Sequence, residues 1–206
     1  MKKISKKKIL HIKSSINGTH SYSTKLGCAL VHKLRAQYPD MYVVTKDLVE
    51  EGFPHLEGEV FASFFVPKEE LTTEQKTLLH VSDKAIEEVM EADILIIDAP
   101  MYNFGIPSHL KAWLDQISRA GITFEYGTSG PKGLILNTKA FIAMASGGVY
   151  SDGPAQQMDF VVPYLKTILG FLGITDIEVL RAEGTAMAET KEASIEMALG
   201  QIERVN

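Results

Sequence analysis

The amino-acid sequence predicts an α/β fold, in which a doubly wound, five-stranded parallel sheet carries helices on both faces. Short apolar runs of strand length alternate with helical patterns along the chain. One run, DILIIDA at 93–99, is almost continuously apolar, which is typical of a strand that is covered on both faces. Parallel strands need crossover helices, and right-handed crossovers place helices on both sides of a sheet. The alternation therefore predicts an open three-layer domain.

The first predicted strand is the short β-prone run Ile9–Ser14. A helix is predicted over Ser21–Gln37, because leucines and an alanine recur there at helical spacing, and a Pro-Asp pair ends it. Met41–Asp47 is the second predicted strand. Leu48–Leu71 has no clear periodicity and contains two glycines and two prolines, so a long loop is predicted.

The middle of the chain continues the alternation. Thr72–Glu91 is predicted as a helix with one apolar face, and Asp93–Ala99 as the third strand. Pro107–Arg119 is predicted as a helix because its apolar residues form one stripe. The turn-rich stretch Gly121–Asn137 predicts a small hairpin excursion.

The carboxyl-terminal part completes the pattern. Lys139–Ala145 (KAFIAMA) is the fourth predicted strand, Pro154–Leu172 a helix, Ile177–Glu183 the fifth strand and Thr190–Val205 a closing helix. No repeat, linker or shift in composition divides the sequence. We therefore expect one domain over residues 1–206.

Composition excludes several classes of protein. Of 206 residues, 45% are hydrophobic and 23% charged, which is typical of a globular chain and excludes intrinsic disorder for most of it. The formal net charge of -5 argues against a nucleic-acid partner. Cys28 is the single cysteine, so an intrachain disulfide is impossible and a cysteine-based zinc site is not expected. We expect Cys28 to be a buried structural thiol.

The sequence also predicts no association with a membrane. Its longest clean apolar run is far shorter than the roughly 20 residues that a bilayer requires. The basic start at Lys2–Lys8 resembles that of a signal peptide, but the apolar stretch after it ends at Lys13. We therefore interpret Lys2–Lys8 as a solvated lead-in to the first strand and expect a cytoplasmic protein.

In such sheets, ligands bind beyond the carboxyl ends of the strands, so the loops there are the candidate site. Ser15, Ser21 and Ser23 surround the start of the first helix, where unpaired amides and the helix dipole favour an anion. Their hydroxyls could bind a phosphate, although one of the serines could equally act as a helix cap. The GxGxxG and GxxxxGK phosphate motifs are absent from this loop.

Two more loops carry unusual side chains. After the third strand, Asn103 could hydrogen-bond the edge of a planar heterocycle. Met101 and Phe104 in the same loop could instead fill the core. After the fourth strand, Gly147 and Gly148 would allow the backbone to approach a flat ligand, although a plain turn is an equal alternative.

These strings together resemble the FMN-dependent NADH-azoreductases, also described as FMN-dependent NADH:quinone oxidoreductases, which have a flavodoxin-like fold. The resemblance rests on KSSI, SYST, APMYNFGIPSHLKAWLD, SGG, DGP and TILGFLGITD, and it extends from about Ile9 to the carboxyl end. It implies FMN bound without a covalent link, in a homodimer. The FMN-binding residues that it implies are Ser15, Ser21, Tyr22 and Ser23 for the phosphate, and Met101, Tyr102, Asn103, Phe104, Ala145, Ser146, Gly147 and Gly148 for the isoalloxazine ring.

One position departs from the family pattern. Position 145 is Ala, where family members commonly carry Ser. A side-chain hydrogen bond from that position to the flavin is therefore not expected, and binding there would depend on backbone amides.

The resemblance implies that NADH reduces FMN and that a quinone or an aromatic azo compound then accepts two electrons in the same cleft, in a ping-pong scheme. Because the cofactor carries the chemistry, we expect neither a catalytic side chain nor a metal. Two alternatives are a flavodoxin-type electron carrier and an FAD-dependent quinone reductase of the same fold. The modest acidity and the Leu48–Leu71 insertion argue against the carrier. A receiver-like domain would need acidic residues where this chain has Ser14 and Ser15.

Aromatic residues in two loops suggest a surface for a partner. The apolar stretch Val60–Val66 could cover the core, which we slightly favour, or form a mobile wall over a substrate. Phe124 and Tyr126 could face a partner subunit or a planar substrate. If these loop aromatics lie together, they would form a larger apolar patch than a monomer exposes, which predicts a twofold dimer. The patch would consist of Phe61, Phe64, Phe65, Phe124 and Tyr126.

Overall fold

The computed structural model describes residues 6–128, 130–188 and 191–205. The strands are β1 (Lys8–Lys13), β2 (Tyr42–Asp47), β3 (Ile94–Pro100), β4 (Phe124–Gly127), β5 (Gly130–Gly133), β6 (Lys139–Ala145) and β7 (Asp176–Ala182). The α-helices are α1 (Tyr22–Gln37), α2 (Gly58–Ser63), α3 (Thr73–Met90), α4 (Ser108–Ile117), α5 (Val162–Leu172) and α6 (Lys191–Glu203). Short 3-10 turns cover Gly18–His20 and Pro154–Met158.

Five of the strands form a parallel sheet in the order β2-β1-β3-β6-β7. From β1 the chain first moves outward to β2 and then crosses back to β3 on the other side of β1. This reversal between β1 and β3 creates the topological switch point of a doubly wound sheet. The predicted fold class is confirmed, and the switch point lies where the first and third candidate strands end.

Each face of the sheet has its own apolar core. Helices α3, α4 and α5 contribute Val89, Trp113 and Leu165 to the core on one face. Helices α1 and α6 contribute Leu30 and Ile202 to the core on the other. All seven residues of β3 are buried between the two cores, as its continuous apolar run predicts.

Most predicted elements agree with the structure to within about two residues, and the predicted hairpin is formed by β4 and β5. Helix α1 begins after Ser21, whose hydroxyl accepts a hydrogen bond from Thr24 N at 3.5 Å. Helix α3 begins with a capping box between Thr72 and Gln75. The predicted closing helix is α6; its expected first residue, Thr190, lies outside the described residues, as do residues 2–5 of the predicted basic lead-in.

Two predicted boundaries are wrong. The region Leu48–Leu71, predicted as a loop, contains helix α2, which is too short to show a hydrophobic period. The stretch Pro154–Leu172, predicted as one helix, is interrupted at Asp159. The carboxylate of Asp159 accepts hydrogen bonds from Val161 N and Val162 N, both at 3.0 Å, and so starts α5 anew.

Three predictions about burial also need correction. Cys28 is exposed, because it lies beside the face of α1 that packs on the sheet. Phe61 and Phe65 are 49% and 66% exposed, so Val60–Val66 does not serve as core cover. Phe124 is buried, with its ring centroid 4.5 Å from that of Phe171, and is not available to a partner.

A buried polar pair interrupts the core under α1. Nε2 of His11 on β1 lies 2.9 Å from Oδ1 of Asp98 on β3. Burial raises the pKa of Asp98 from 3.8 to about 6, although His11 and then Lys13 oppose the shift. Helix α1 crosses the pair at Gly27, where a Cβ atom would overlap the Asp98 carboxyl. The glycine therefore permits the close approach of α1 to the sheet.

We expect Gly27→Ala to lower the free energy of unfolding by about 2 kcal/mol or more, because the added methyl group displaces a buried carboxyl. The matched control is Gly170→Ala in α5, where a Cβ would enter open space. That change is expected to stabilise the protein by up to about 1 kcal/mol through helix propensity. Urea unfolding measures both, and equal effects would contradict the packing argument.

The raised pKa of Asp98 predicts a pH-dependent stability. Because its folded pKa lies above the ordinary value, the stability that the protonated form contributes is present below about pH 4 and is lost as pH rises through about 6. We therefore expect Asp98→Asn to be more stable than the parent at pH 8, by roughly 2 kcal/mol, with the difference vanishing towards pH 4. Urea unfolding between pH 4 and 8 tests this, and a difference that stays constant with pH would refute it.

Candidate functional site

The three loops that the sequence singles out meet at the carboxyl edge of the sheet. They surround a cavity of about 150 Å³ at the start of α1. Its walls come from the loop after β1, the ends of β3 and β6, and the segment after β7. The lining residues are Asn17, His20, Ser21, Tyr22, Pro100, Met101, Tyr102, Ala145, Ser146, Gly147 and Thr185.

This small cavity suits an anion although neither lysine nor arginine lines it. The first turn of α1 leaves backbone N–H groups without partners inside the helix, and the helix dipole adds partial positive charge there. Ser21 caps the helix and also lines the cavity. A phosphate would find donors at this helix terminus without a cationic side chain.

Two of the four predicted phosphate ligands lie behind the cavity rather than in its wall. Ser15 is buried, and its hydroxyl lies 3.0 Å from the Tyr102 hydroxyl, joining the first loop to the second. Ser23 is fully buried, with its hydroxyl 2.9 Å from that of Ser21. Ser21 and Tyr22 line the cavity directly.

The loop after β3 turns sharply. Tyr102 and Gly105 exchange two backbone hydrogen bonds of 3.0 Å, and the residues between them, Asn103 and Phe104, have φ values of 50° and 68°. Positive φ at both central positions is the pattern of a type I′ turn. Phenylalanine rarely adopts this conformation, which costs on the order of 1 kcal/mol or more and is found preferentially at functional sites.

A second, wider cavity of about 1070 Å³ adjoins the small one. Met101 and Tyr102 line both. Most of the wall is apolar, as a flat aromatic ligand requires. The residues that line it are Ile16, Met101, Tyr102, Asn103, Gly105, Ile106, Pro107, Ser108, His109, Lys111, Phe160, Pro163 and Tyr164.

The side chains of the turn differ in their roles. Met101 packs against the core and lines both cavities, so this residue both fills the core and forms part of the site wall. Asn103 is exposed and lines the wide cavity, and its carboxamide has no hydrogen-bond partner in the part of the chain that the structure describes. Phe104 does not fill the core: it is 45% exposed and meets the Tyr150 ring edge-on at 6.2 Å.

The loop after β6 presents free backbone donors. At its start, Ala145 O accepts from Met101 N at 2.8 Å, and Ser146 N donates to Ala182 O at 3.0 Å. By contrast, the N–H groups of Gly147 and Gly148 have no acceptor among the residues described. Gly147 lines the small cavity, whereas Gly148 lies behind it and accepts from the Ser146 hydroxyl at 2.8 Å.

Sequence reasoning missed Phe160, which forms part of the wide cavity. Its backbone N–H donates to Phe104 O at 3.3 Å and so joins the segment before α5 to the strained turn. The neighbouring Asp159 is held by Arg181 Nη2 at 2.7 Å, and Arg181 also binds Glu183 at 3.2 Å. The sequence signal that could have identified this segment is Asp159, because an aspartate can begin a helix and this one lies inside a stretch that was predicted as one continuous helix.

Further polar groups of the wide cavity lie on α4 and α5. Lys111 donates to Asp115 at 2.6 Å, and His109 lies on the same helix. Burial raises the pKa of Tyr164 above an ordinary value that already leaves the phenol protonated, and therefore a donor, at neutral pH.

Within the described residues, no group of three or more histidine, cysteine, aspartate or glutamate side chains could hold a metal ion. Among the helices formed by those residues, none combines the length and the apolar character needed to cross a membrane.

Known proteins share this sequence and this architecture. A family model described as a flavodoxin-like fold matches residues 7–205. An FMN-dependent NADH:quinone oxidoreductase from Herminiimonas arsenicoxydans is 46% identical over 180 residues, which are 87% of this chain and 88% of the relative. The crystal structure of an azoreductase from Bacillus anthracis str. Sterne has a TM-score of 0.88 at 32% identity, covering 95% of this chain and 96% of that one.

A further solved structure contains the cofactor. An FMN-dependent NADH-azoreductase from Bacillus anthracis str. Ames Ancestor in complex with FMN has a TM-score of 0.83 at 26% identity, over 96% of this chain and 98% of that one. The fold, the three-loop cavity and these likenesses agree. The chain therefore belongs to the flavodoxin-like family that includes the FMN-dependent NADH:quinone oxidoreductases and azoreductases.

Proposed function

We propose that this protein is an FMN-dependent NADH:quinone oxidoreductase that also reductively cleaves aromatic azo compounds. One observation carries the proposal: a small anion-binding cavity at a helix terminus opens beside a wide apolar cavity, and Met101 and Tyr102 line both. This arrangement suits a cofactor that has a phosphate at one end and a flat ring at the other. The names of the relatives supply the reaction and both classes of acceptor.

The residues present fit FMN. The phosphate would be held by Ser21, Tyr22 and the amides of the first turn of α1, while Ser15 and Ser23 brace Tyr102 and Ser21 from behind. The ring would lie against the turn after β3 and the loop after β6. Its residues there would be Met101, Tyr102, Asn103, Phe104, Ala145, Ser146, Gly147 and Gly148.

FMN, when bound, supplies the two-electron redox chemistry that links NADH to the acceptor. The chain's own residues then bind, orient and exclude water. The carboxamide of Asn103 and the free N–H groups of Gly147 and Gly148 would donate to negative charge that develops on the ring. The apolar wall of the wide cavity, including Phe160, would hold first NADH and then a flat acceptor.

The proposal includes the assembly, the domain organisation and the location. Phe61 and Phe65 pack edge to face at 5.1 Å and remain about half exposed or more, which supports a twofold dimer through this surface. The parallel sheet and its two cores, which include strands from β1 to β7, support one domain over residues 1–206. We expect the enzyme to act in the cytoplasm.

Cofactor content and kinetics test the function. The purified protein should be yellow and release about one FMN per chain. Initial-rate plots against NADH at several quinone concentrations should be parallel, because one cleft would serve donor and acceptor in turn. Converging lines would refute the shared cleft, and colourless protein that fails to take up FMN, or that releases FAD, would refute the proposed cofactor.

Gly147→Asp should fold with a near-normal circular dichroism spectrum but bind FMN at least tenfold more weakly, because it adds side-chain bulk and a negative charge to the wall of the cavity that would hold the anionic FMN phosphate. A Cβ at Gly147 would come within 3.1 Å of the exposed Ala186 methyl group. Gly147→Ala therefore separates this mild crowding from the charge. FMN titration of both variants is the measurement, and tight FMN binding by Gly147→Asp would remove this loop from the site.

Phe65→Glu should weaken the dimer, because it introduces a charge into the exposed aromatic surface on the proposed interface. Met197→Glu on α6 is the matched control, since Met197 is also 66% exposed. Sedimentation at several concentrations measures the association. Equal behaviour of the two variants, or a monomeric parent with full activity, would refute the proposed dimer.

A further inference from the structure

The His11–Asp98 pair is a buried titratable group to which the proposed reaction gives no role. His11 is 2% exposed and Asp98 is fully buried. Oδ1 of Asp98 lies 2.9 Å from His11 Nε2, whereas Oδ2 has no partner at hydrogen-bonding geometry among the described residues. The Thr24 side chain on α1 is nevertheless near enough to lower the pKa of the carboxyl. Ionisation of the Asp98 carboxyl costs free energy, because a buried carboxylate oxygen without a donor has lost its hydration. The protonation of Asp98 is therefore sensitive to other charges nearby.

The pair lies directly beneath the helix that would bind the FMN phosphate. Gly27 of α1 packs on the Asp98 carboxyl, and Gly27 is four residues after Ser23. At 1.5 Å per residue, the carboxyl therefore lies roughly 8 to 9 Å along the helix axis from Tyr22 and Ser21, which line the cavity. Ser14, which begins the phosphate loop, donates its hydroxyl to Asp98 O at 2.6 Å.

Few other charges face this pair. Lys13 on β1 lowers the pKa of Asp98, and Asp98 in turn helps to raise the pKa of Cys28 on α1, for which the partial desolvation of the otherwise exposed thiol is the larger cause. On the other side of β3, the register places the uncharged Ala143 beside Asp98. No lysine or arginine lines the small cavity, and its one imidazole side chain is that of His20. No lysine or arginine side chain in the wall would therefore neutralise a phosphate bound there.

We propose that the His11–Asp98 pair couples FMN binding to proton uptake: the phosphate at the start of α1 favours the form of the pair that holds an additional proton. This inference rests on the proposed FMN site. With neutral imidazole and ionised carboxylate the pair carries one negative charge, and one added proton, taken from solvent, makes it neutral. The phosphate repels the negative form, so binding raises the proton affinity of the pair and, by linkage, protonation strengthens binding.

Because the raised pKa of Asp98 is about 6, protonation of the pair takes place at a pH close to neutrality. A shift of about one pKa unit on binding corresponds to a threefold or larger loss of FMN affinity between pH 6.5 and 8.5. It also corresponds to uptake of roughly 0.4 proton per FMN at pH 7.

Calorimetric titration of the apoprotein with FMN at pH 7, in two buffers of different ionisation enthalpy, measures the uptake. The parent should take up a fraction of a proton with FMN and none with riboflavin, which lacks the phosphate. Asp98→Asn should take up roughly 0.4 proton less than the parent, because only the phosphate itself can then titrate. The ratio of the parent's FMN dissociation constant to that of Asp98→Asn should rise at least threefold between pH 6.5 and 8.5, and this ratio cancels the titration of the phosphate itself.

Two further variants identify the group. His11→Gln keeps a donor near Oδ1 but removes the imidazole that lowers the Asp98 pKa, so uptake should persist with its maximum at higher pH. His20→Gln should leave the uptake unchanged. If Asp98→Asn fails to fold, His11→Gln and the comparison with riboflavin still test whether the pair couples FMN binding to proton uptake.

Three results would overturn the coupling: uptake that is lost in His20→Gln, equal uptake with riboflavin, or FMN binding by the parent with no more uptake than Asp98→Asn shows. The last result would leave the proposed function intact. Failure of the parent to bind FMN at all would instead refute the proposed function.

Discussion

The close packing of α1 on β1 and β3 is the constraint on which the rest of the site depends. The helix can approach the sheet only because position 27 has no side chain, since a Cβ there would overlap the Asp98 carboxyl. That approach fixes the start of α1 beside the ends of β3 and β6, and with it the cavity between Ser21 and Gly147. A helix raised by a few ångströms would separate the anion-binding terminus from the two other loops.

Backbone hydrogen bonds between loops hold the other walls in place. Met101 N binds Ala145 O, and Phe160 N binds Phe104 O, so the strained turn is attached at both ends to neighbouring segments. Because backbone atoms make these bonds, the wall does not depend on the rotamers of long side chains. Positive φ values at Asn103 and Phe104 persist under such restraint, and they turn the carboxamide towards the wide cavity.

Sequence patterns predicted the sheet, its helices and the site loops because those features are periodic or local. The continuous apolar run of β3 identified a strand buried on both faces, and the serines before α1 identified a helix terminus. Helix α2 was missed because one and a half turns show no period, and the break at Asp159 was missed because a capping aspartate can also lie inside a helix. Both predictions failed because one element was too short and because the same residue can occupy two positions relative to a helix, not because the chemistry of a residue was misread.

The sequence by itself therefore determined the fold class, the three loops and the chemistry of their side chains. Only the tertiary structure decided which of those groups face the cavity: Ser15 and Ser23 turn into internal hydrogen bonds, while Thr185 and Phe160 enter the walls. It also joined His11 to Asp98, which are 87 residues apart in the chain. The physical reason is that pairing across the sheet depends on register and helix distance, which no local pattern of residues encodes.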